Sequence, residues 1–175
     1  MAQNEVLQAM ETRASVKRFE STPVSESDLQ SIIQAGLRAP SGLNKQSPII
    51  LAVTEPATVK KLSELNAGKD PFFRADPFYG APAVLVVLAD KSVPTYVYDG
   101  SLVMGQMLLA AQSLGLGACW IHRAKETFEM PEGKALLKKL GIEGEYEGIG
   151  NCIIGYADIE PEKKPRKEHR VFWIE

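Results

Sequence analysis

The sequence predicts an α+β sandwich around a mixed sheet, on three observations. Short apolar runs rich in β-branched residues are interspersed with amphipathic stretches of helical period. They alternate too irregularly for a doubly wound parallel sheet. With 45% of its 175 residues hydrophobic, the chain can bury one core, so residues 1–175 read as a single domain.

The elements follow in order. Residues 4–12 carry Val6, Leu7 and Met10 at helical spacing and form a short amphipathic helix. Ser25-Glu-Ser-Asp28 is a capping box, with Leu29, Ile32, Ile33, Gly36 and Leu37 on one face of the helix it starts, which ends at Pro40. Residues 48–53 are a strand, and Pro56 occupies the first turn of a helix running to about Asn66. Residues 68–82 hold too much Pro and Gly for a regular element, yet carry Phe72, Phe73, Phe78 and Tyr79. These aromatics either staple the loop to the core or line a pocket, Phe78 and Tyr79 being candidates for substrate contact. Residues 83–89 form a buried strand. Asp99 is the expected N-cap of a helix over 100–114, closed by Gly115 and apolar on most sides. Such a helix is either central or half-buried against a second protomer. Residues 117–121 and 151–156 supply further strands, with a charged helix from about Glu132 to Leu140 between them. The basic stretch 163–170 leads into an apolar terminus, Val171-Phe172-Trp173-Ile174, of a kind that docks on a partner subunit.

Composition excludes several classes. A net charge of −2 argues against nucleic acid as the partner. No apolar segment is long enough to span a bilayer, and no signal peptide is visible, which points to a cytoplasmic protein with no membrane association. Cys119 and Cys152 sit in apolar runs and read as reduced core thiols. His122 and His169 have no partner at metal-ligand spacing, so no metal site is expected. There is no Gly-x-Ser-x-Gly elbow, Walker loop or Gly-x-Gly-x-x-Gly.

Two motifs do carry chemistry. Arg13-Ala-Ser15-Val-Lys17 places two cations and a hydroxyl at alternate positions, so in extended chain all three converge on one dianion. Ala39-Pro40-Ser41-Gly42-Leu43-Asn44-Lys45-Gln46 is an irregular stretch after a helix, suited to aim backbone and amide groups at a flat ring. Together they indicate a phosphate-bearing cofactor that performs the chemistry, since no acid, base or nucleophile is evident.

These motifs, with the apolar helix after Asp99, Gly115-Leu-Gly117-Ala-Cys119-Trp120-Ile121, and Lys164-Pro-Arg166, resemble in order the FMN-dependent nitroreductase family. The resemblance spans nearly the whole chain. It implies a three-layer sandwich with a central mixed or antiparallel sheet, assembled as an intertwined homodimer with FMN at the interface. It assigns Arg13, Ser15 and Lys17, with Lys164 and Arg166, to the FMN phosphate and ribityl chain. Pro40, Ser41 and Asn44 approach the ring from the partner chain. Asn66 and Lys69 bond its pyrimidine edge, and the backbone at Trp120, Ile121 and His122 faces N5 and O4. A cation near N1 and O2 favours the anionic reduced ring. His122 and Arg123 stand where larger relatives often have an acid and a glycine, which leaves backbone contacts intact and alters acceptor preference. His122 is either a proton donor beside the reactive face or structural.

The implied activity is an FMN-dependent oxidoreductase working by ping-pong kinetics, taking hydride from NAD(P)H and reducing electron-poor small molecules: nitroaromatics, quinones or enones. Two other readings share the same cofactor-holding residues: a flavin sensor or carrier without turnover, and a specialised flavin reaction such as reductive dehalogenation.

Overall fold

The computed structural model describes residues 4–68, 76–163 and 165–175. Its helices are α1 (Glu5–Thr12), α2 (Glu26–Leu37), α3 (Pro56–Ala67), α4 (Tyr96–Ser113), α5 (Ala124–Glu129) and α6 (Pro131–Lys139). Its strands are β1 (Pro48–Val53), β2 (Ala83–Asp90), β3 (Gly117–Ile121) and β4 (Tyr146–Gly155), with a short 3-10 turn at Gly42–Asn44.

Local signals account for most boundaries. Asn4 caps α1 by accepting from the Leu7 N–H at 3.1 Å, and the Ser25 hydroxyl caps α2 by accepting from the Asp28 N–H at 3.1 Å. Pro56 opens α3, as anticipated. The strands pair in the order β1-β2-β4-β3, all antiparallel. The mixed sheet is thereby resolved as antiparallel among the named strands; a lone parallel bridge joins Ser15 to Ala118.

Because side chains alternate across a strand, β2 divides the core in two. Leu85 and Val87 face α2 and α4, packing with Leu29, Ile32, Val103, Met104 and Met107. Val84, Val86 and Leu88 face the other way, against Val59 and Leu62 of α3 and Phe128 of α5. Three layers result, with the sheet in the middle. Cys152 belongs to the first cluster and Cys119 to the second, so the two free thiols lie on opposite faces of the sheet.

Two expectations need correction. Asp99 does not cap a helix at 100; α4 begins three residues before it at Tyr96, with Thr95 at the N-cap, and Asp99 is buried on the helix face. The Thr95 hydroxyl gives its proton to Asp99 Oδ2 at 3.0 Å, so this helix has no side-chain cap. Second, β4 starts at Tyr146 instead of 151, and α5 precedes the anticipated charged helix. Helix α1 forms where expected, with its apolar stripe facing outward: Val6, Leu7 and Met10 are exposed, and Ala9 is the buried residue. On α4 too, Val97, Tyr98 and Leu102 remain exposed, so this helix packs on the sheet and on α2 and keeps an uncovered side.

Candidate cofactor site

The 13–17 segment is set by its backbone. The Val16 N–H donates to the Ala118 carbonyl of β3 at 3.1 Å, and Val16 is buried against Gly117. Alternation then turns Ser15 and Lys17 outward, with Arg13 half-exposed. All three line a cleft of about 900 Å³ together with Arg18, Lys163 and Arg166, as well as Glu11, Glu160 and Glu162. The tail thus reaches the first motif from the far end of the chain, tied nearby by the Arg18–Asp158 ion pair and by the Asp158 N–H donating to the Arg18 carbonyl.

A second cleft, of about 600 Å³, adjoins the first, sharing Ser15 and Lys17. It is lined by Asn66, Tyr79, Cys119, Trp120, Ile121, His122 and Arg123. Here the chain leaves β3 and turns through Arg123, whose φ is +73°, into α5. Asn66, only 2% exposed, secures that turn from behind: its amide donates to the His122 carbonyl at 2.8 Å. The Trp120 indole lies over Gly150, where a Cβ would collide with Nε1. His122 itself is exposed at the cleft.

Burial pushes the Cys119 thiol up, and the Ser15 hydroxyl with the Lys17 and Arg13 charges only partly offsets this. The thiol is therefore protonated at neutral pH, and the positive field of the motif reaches into the second cleft. Burial also pushes Cys152 up.

The remaining candidates fall elsewhere. Pro40, Ser41 and Asn44 line neither cleft. Their turn is pinned to α4 by Asp99. Phe78 is 1% exposed within the second core cluster and borders a separate cleft of about 510 Å³ with Val59, Ser63 and Asp76, while its neighbour Tyr79 reaches the second cleft. Lys69 and Lys164 lie outside the described residues. Sequence reasoning did not single out Cys119 as a cleft residue or the acidic side chains at the cationic cleft. The alternation of β3 turns Cys119 toward α3 and α5, a signal available from strand period alone.

A cationic cleft thus adjoins a partly aromatic one on a three-layer α+β sandwich. The chain belongs to the nitroreductase family, whose model matches residues 10–156. The FMN reductase [NAD(P)H] of Bacillus subtilis is 28% identical over 93% of this chain and 70% of that protein. The crystal structure of a nitroreductase with bound FMN from Bacteroides fragilis is 26% identical and superposes with a TM-score of 0.89, covering 99% of this chain and 100% of the other. A nitroreductase from Desulfitobacterium hafniense, 24% identical with a TM-score of 0.88 over 99% of this chain and 100% of that one, shares the fold.

Proposed function

We propose that this protein is an FMN-dependent NAD(P)H oxidoreductase that reduces electron-poor small molecules such as nitroaromatics, quinones or activated enones. The observation that carries the reading is the meeting of the two clefts at Ser15 and Lys17, which offers an anion site and a ring slot at the two ends of one groove. The residues present fit FMN: Arg13, Ser15, Lys17 and Arg166 would hold the phosphate, while Trp120, Ile121, His122 and Tyr79 would border the ring. When bound, FMN supplies two-electron chemistry between a nicotinamide donor and an organic acceptor. The chain's own work is to bind, orient and exclude water, and the rigid turn behind His122, held by Asn66, fixes the backbone that lines the slot. Donor and acceptor use this slot in turn, hence ping-pong kinetics.

The functional unit is a homodimer. Val6, Leu7 and Met10 on α1, Tyr98 and Leu102 on the adjoining α4, and Phe172 and Trp173 in the tail are all exposed, more large apolar side chains than a monomer usually leaves in water. A second copy would cover them and bring Pro40, Ser41 and Asn44 to the ring from the partner chain. Two buried, unpaired thiols suit a reducing cytoplasm; among the described residues no helix is long and apolar enough to cross a membrane.

An absorption spectrum and stopped-flow reduction test this reading. Purified protein should be yellow, bleach rapidly with NADH or NADPH, and regain colour with a quinone. Colourless protein that takes up no added FMN would falsify it, and bound flavin that stays oxidised would make the protein a carrier.

A further inference from the structure

A carboxylate on the buried side of an apolar helix is costly unless its oxygens are fully used. Asp99, 3% exposed, uses both. Its Oδ1 accepts from the Gly42 N–H at 3.0 Å, and its Oδ2 accepts from the Ser47 hydroxyl at 2.8 Å and the Thr95 hydroxyl at 3.0 Å. Gly42 and Ser47 stand at the two ends of the turn that carries Leu43, Asn44, Lys45 and Gln46. One group on α4 therefore ties down both ends of that turn.

What lies between is strained. Leu43, Asn44 and Gln46 have φ of +50°, +53° and +50°, in the left-handed region that non-glycine residues avoid. Such a backbone persists only where its surroundings over-determine it. Inside the turn the Gln46 N–H donates to Ser41 Oγ at 2.9 Å, and the Gln46 amide donates to Asn44 Oδ1 at 3.2 Å. Gly42 is pressed so closely on Thr95 that a Cβ there would overlap its hydroxyl. Apolar packing does not hold the tip in this shape, since Leu43 there is 93% exposed.

We infer that Asp99 is a positioning residue: it holds the 41–47 turn in its strained form so that Ser41 and Asn44 are preset for the ring. This rests on the assignment of those residues to the FMN site. Preorganisation of this kind acts on ligand affinity, because the turn is ordered before binding.

The test compares Asp99→Ala with Asp99→Asn. In FMN-free protein, NMR hydrogen exchange at the Gln46 amide should quicken about tenfold in Asp99→Ala, while Val86 in β2 keeps its protection. FMN affinity should fall by about tenfold as well. Asp99→Asn retains an oxygen for the Gly42 N–H and presents its NH2 to the two hydroxyls, so it should restore both readouts to within about threefold of wild type. Ser47→Ala, which leaves Asp99 and its bonds to Gly42 and Thr95 in place, should give the Asp99→Ala pattern at smaller amplitude and covers the case in which that variant does not fold. Unchanged exchange at Gln46, or equal acceleration at Gln46 and Val86, overturns the inference. A looser turn with wild-type FMN affinity also overturns it, yet leaves the flavin reading standing. Wild-type protein that binds no FMN overturns both.

Discussion

Residues 13–17 are held by their own backbone, through the Val16 N–H on the Ala118 carbonyl, and project their side chains into a cleft of the same chain. Residues 41–46 are held by the side chain of another element, Asp99 of α4, in a partly left-handed backbone that lines neither cleft. The difference separates two tasks. An anion is recognised by charge, which tolerates some play, so an extended segment clipped to a strand suffices. A flat ring is recognised by placement of uncharged groups, which demands a turn fixed at both ends. The first half of the proposed site is complete within one protomer, whereas the second waits for another copy.

The largest expected effect breaks the first half. Replacing both Arg13 and Lys17 by Ala should weaken FMN binding by at least about a hundredfold, measured by quenching of flavin fluorescence, because each charge-assisted contact contributes about 1.5–3 kcal/mol. The fold should persist, since neither cation is part of the core. Next, Asn66→Ala should lower stability by about 1–3 kcal/mol in denaturant titrations, because the His122 carbonyl loses the donor that holds it. This variant loosens the ring slot and leaves the phosphate cleft intact. Gly42→Ala sharpens the second half: a Cβ would overlap Thr95, and relief of that clash should cost about 1–2 kcal/mol by the same titration and also reduce FMN affinity. The smallest effect is in acid. Burial alone would raise the Asp99 carboxyl, but the Gly42 N–H and the Ser47 and Thr95 hydroxyls together hold it below its ordinary 3.8. Its contribution to stability is therefore complete above about pH 4 and declines as pH falls through the lower folded value. Asp99→Asn should flatten that part of the stability curve.

Reading the sequence succeeds where a local cause suffices and fails where a distant contact decides. Ser25 and Pro56 mark helix starts that the structure retains, because capping and first-turn chemistry involve only neighbours. Asp99 has the same local signature, but its carboxylate is engaged 57 residues away in sequence, at Gly42, so α4 starts earlier. The first half of β4 is obscured by Gly148 and Gly150, which look like strand breakers. Their role is close approach: a Cβ at Gly148 would run into the Ala124 carbonyl, and one at Gly150 into the Trp120 indole. Helix α5 lacks a capping side chain and starts from a left-handed Arg123, which leaves no local trace. At the site, Arg13, Ser15 and Lys17 are legible because strand alternation alone puts them on one side. The arrival of Arg166 beside them depends on the path of the whole chain, and it entered the sequence reading only through the family resemblance.

The docking of residues 15 and 16 on β3 has one more consequence. Strand β3 ends the sheet, and such an edge is open to pairing with any extended chain it meets. Here the Ser15–Ala118 bridge occupies part of that edge, and the segment that does so carries Arg13 and Lys17. The proposed ligand clamp is also the guard of the sheet. Two like charges on that segment keep further extended chains off the edge, so the variant lacking both Arg13 and Lys17 should be the more aggregation-prone protein as well as the weaker binder of FMN.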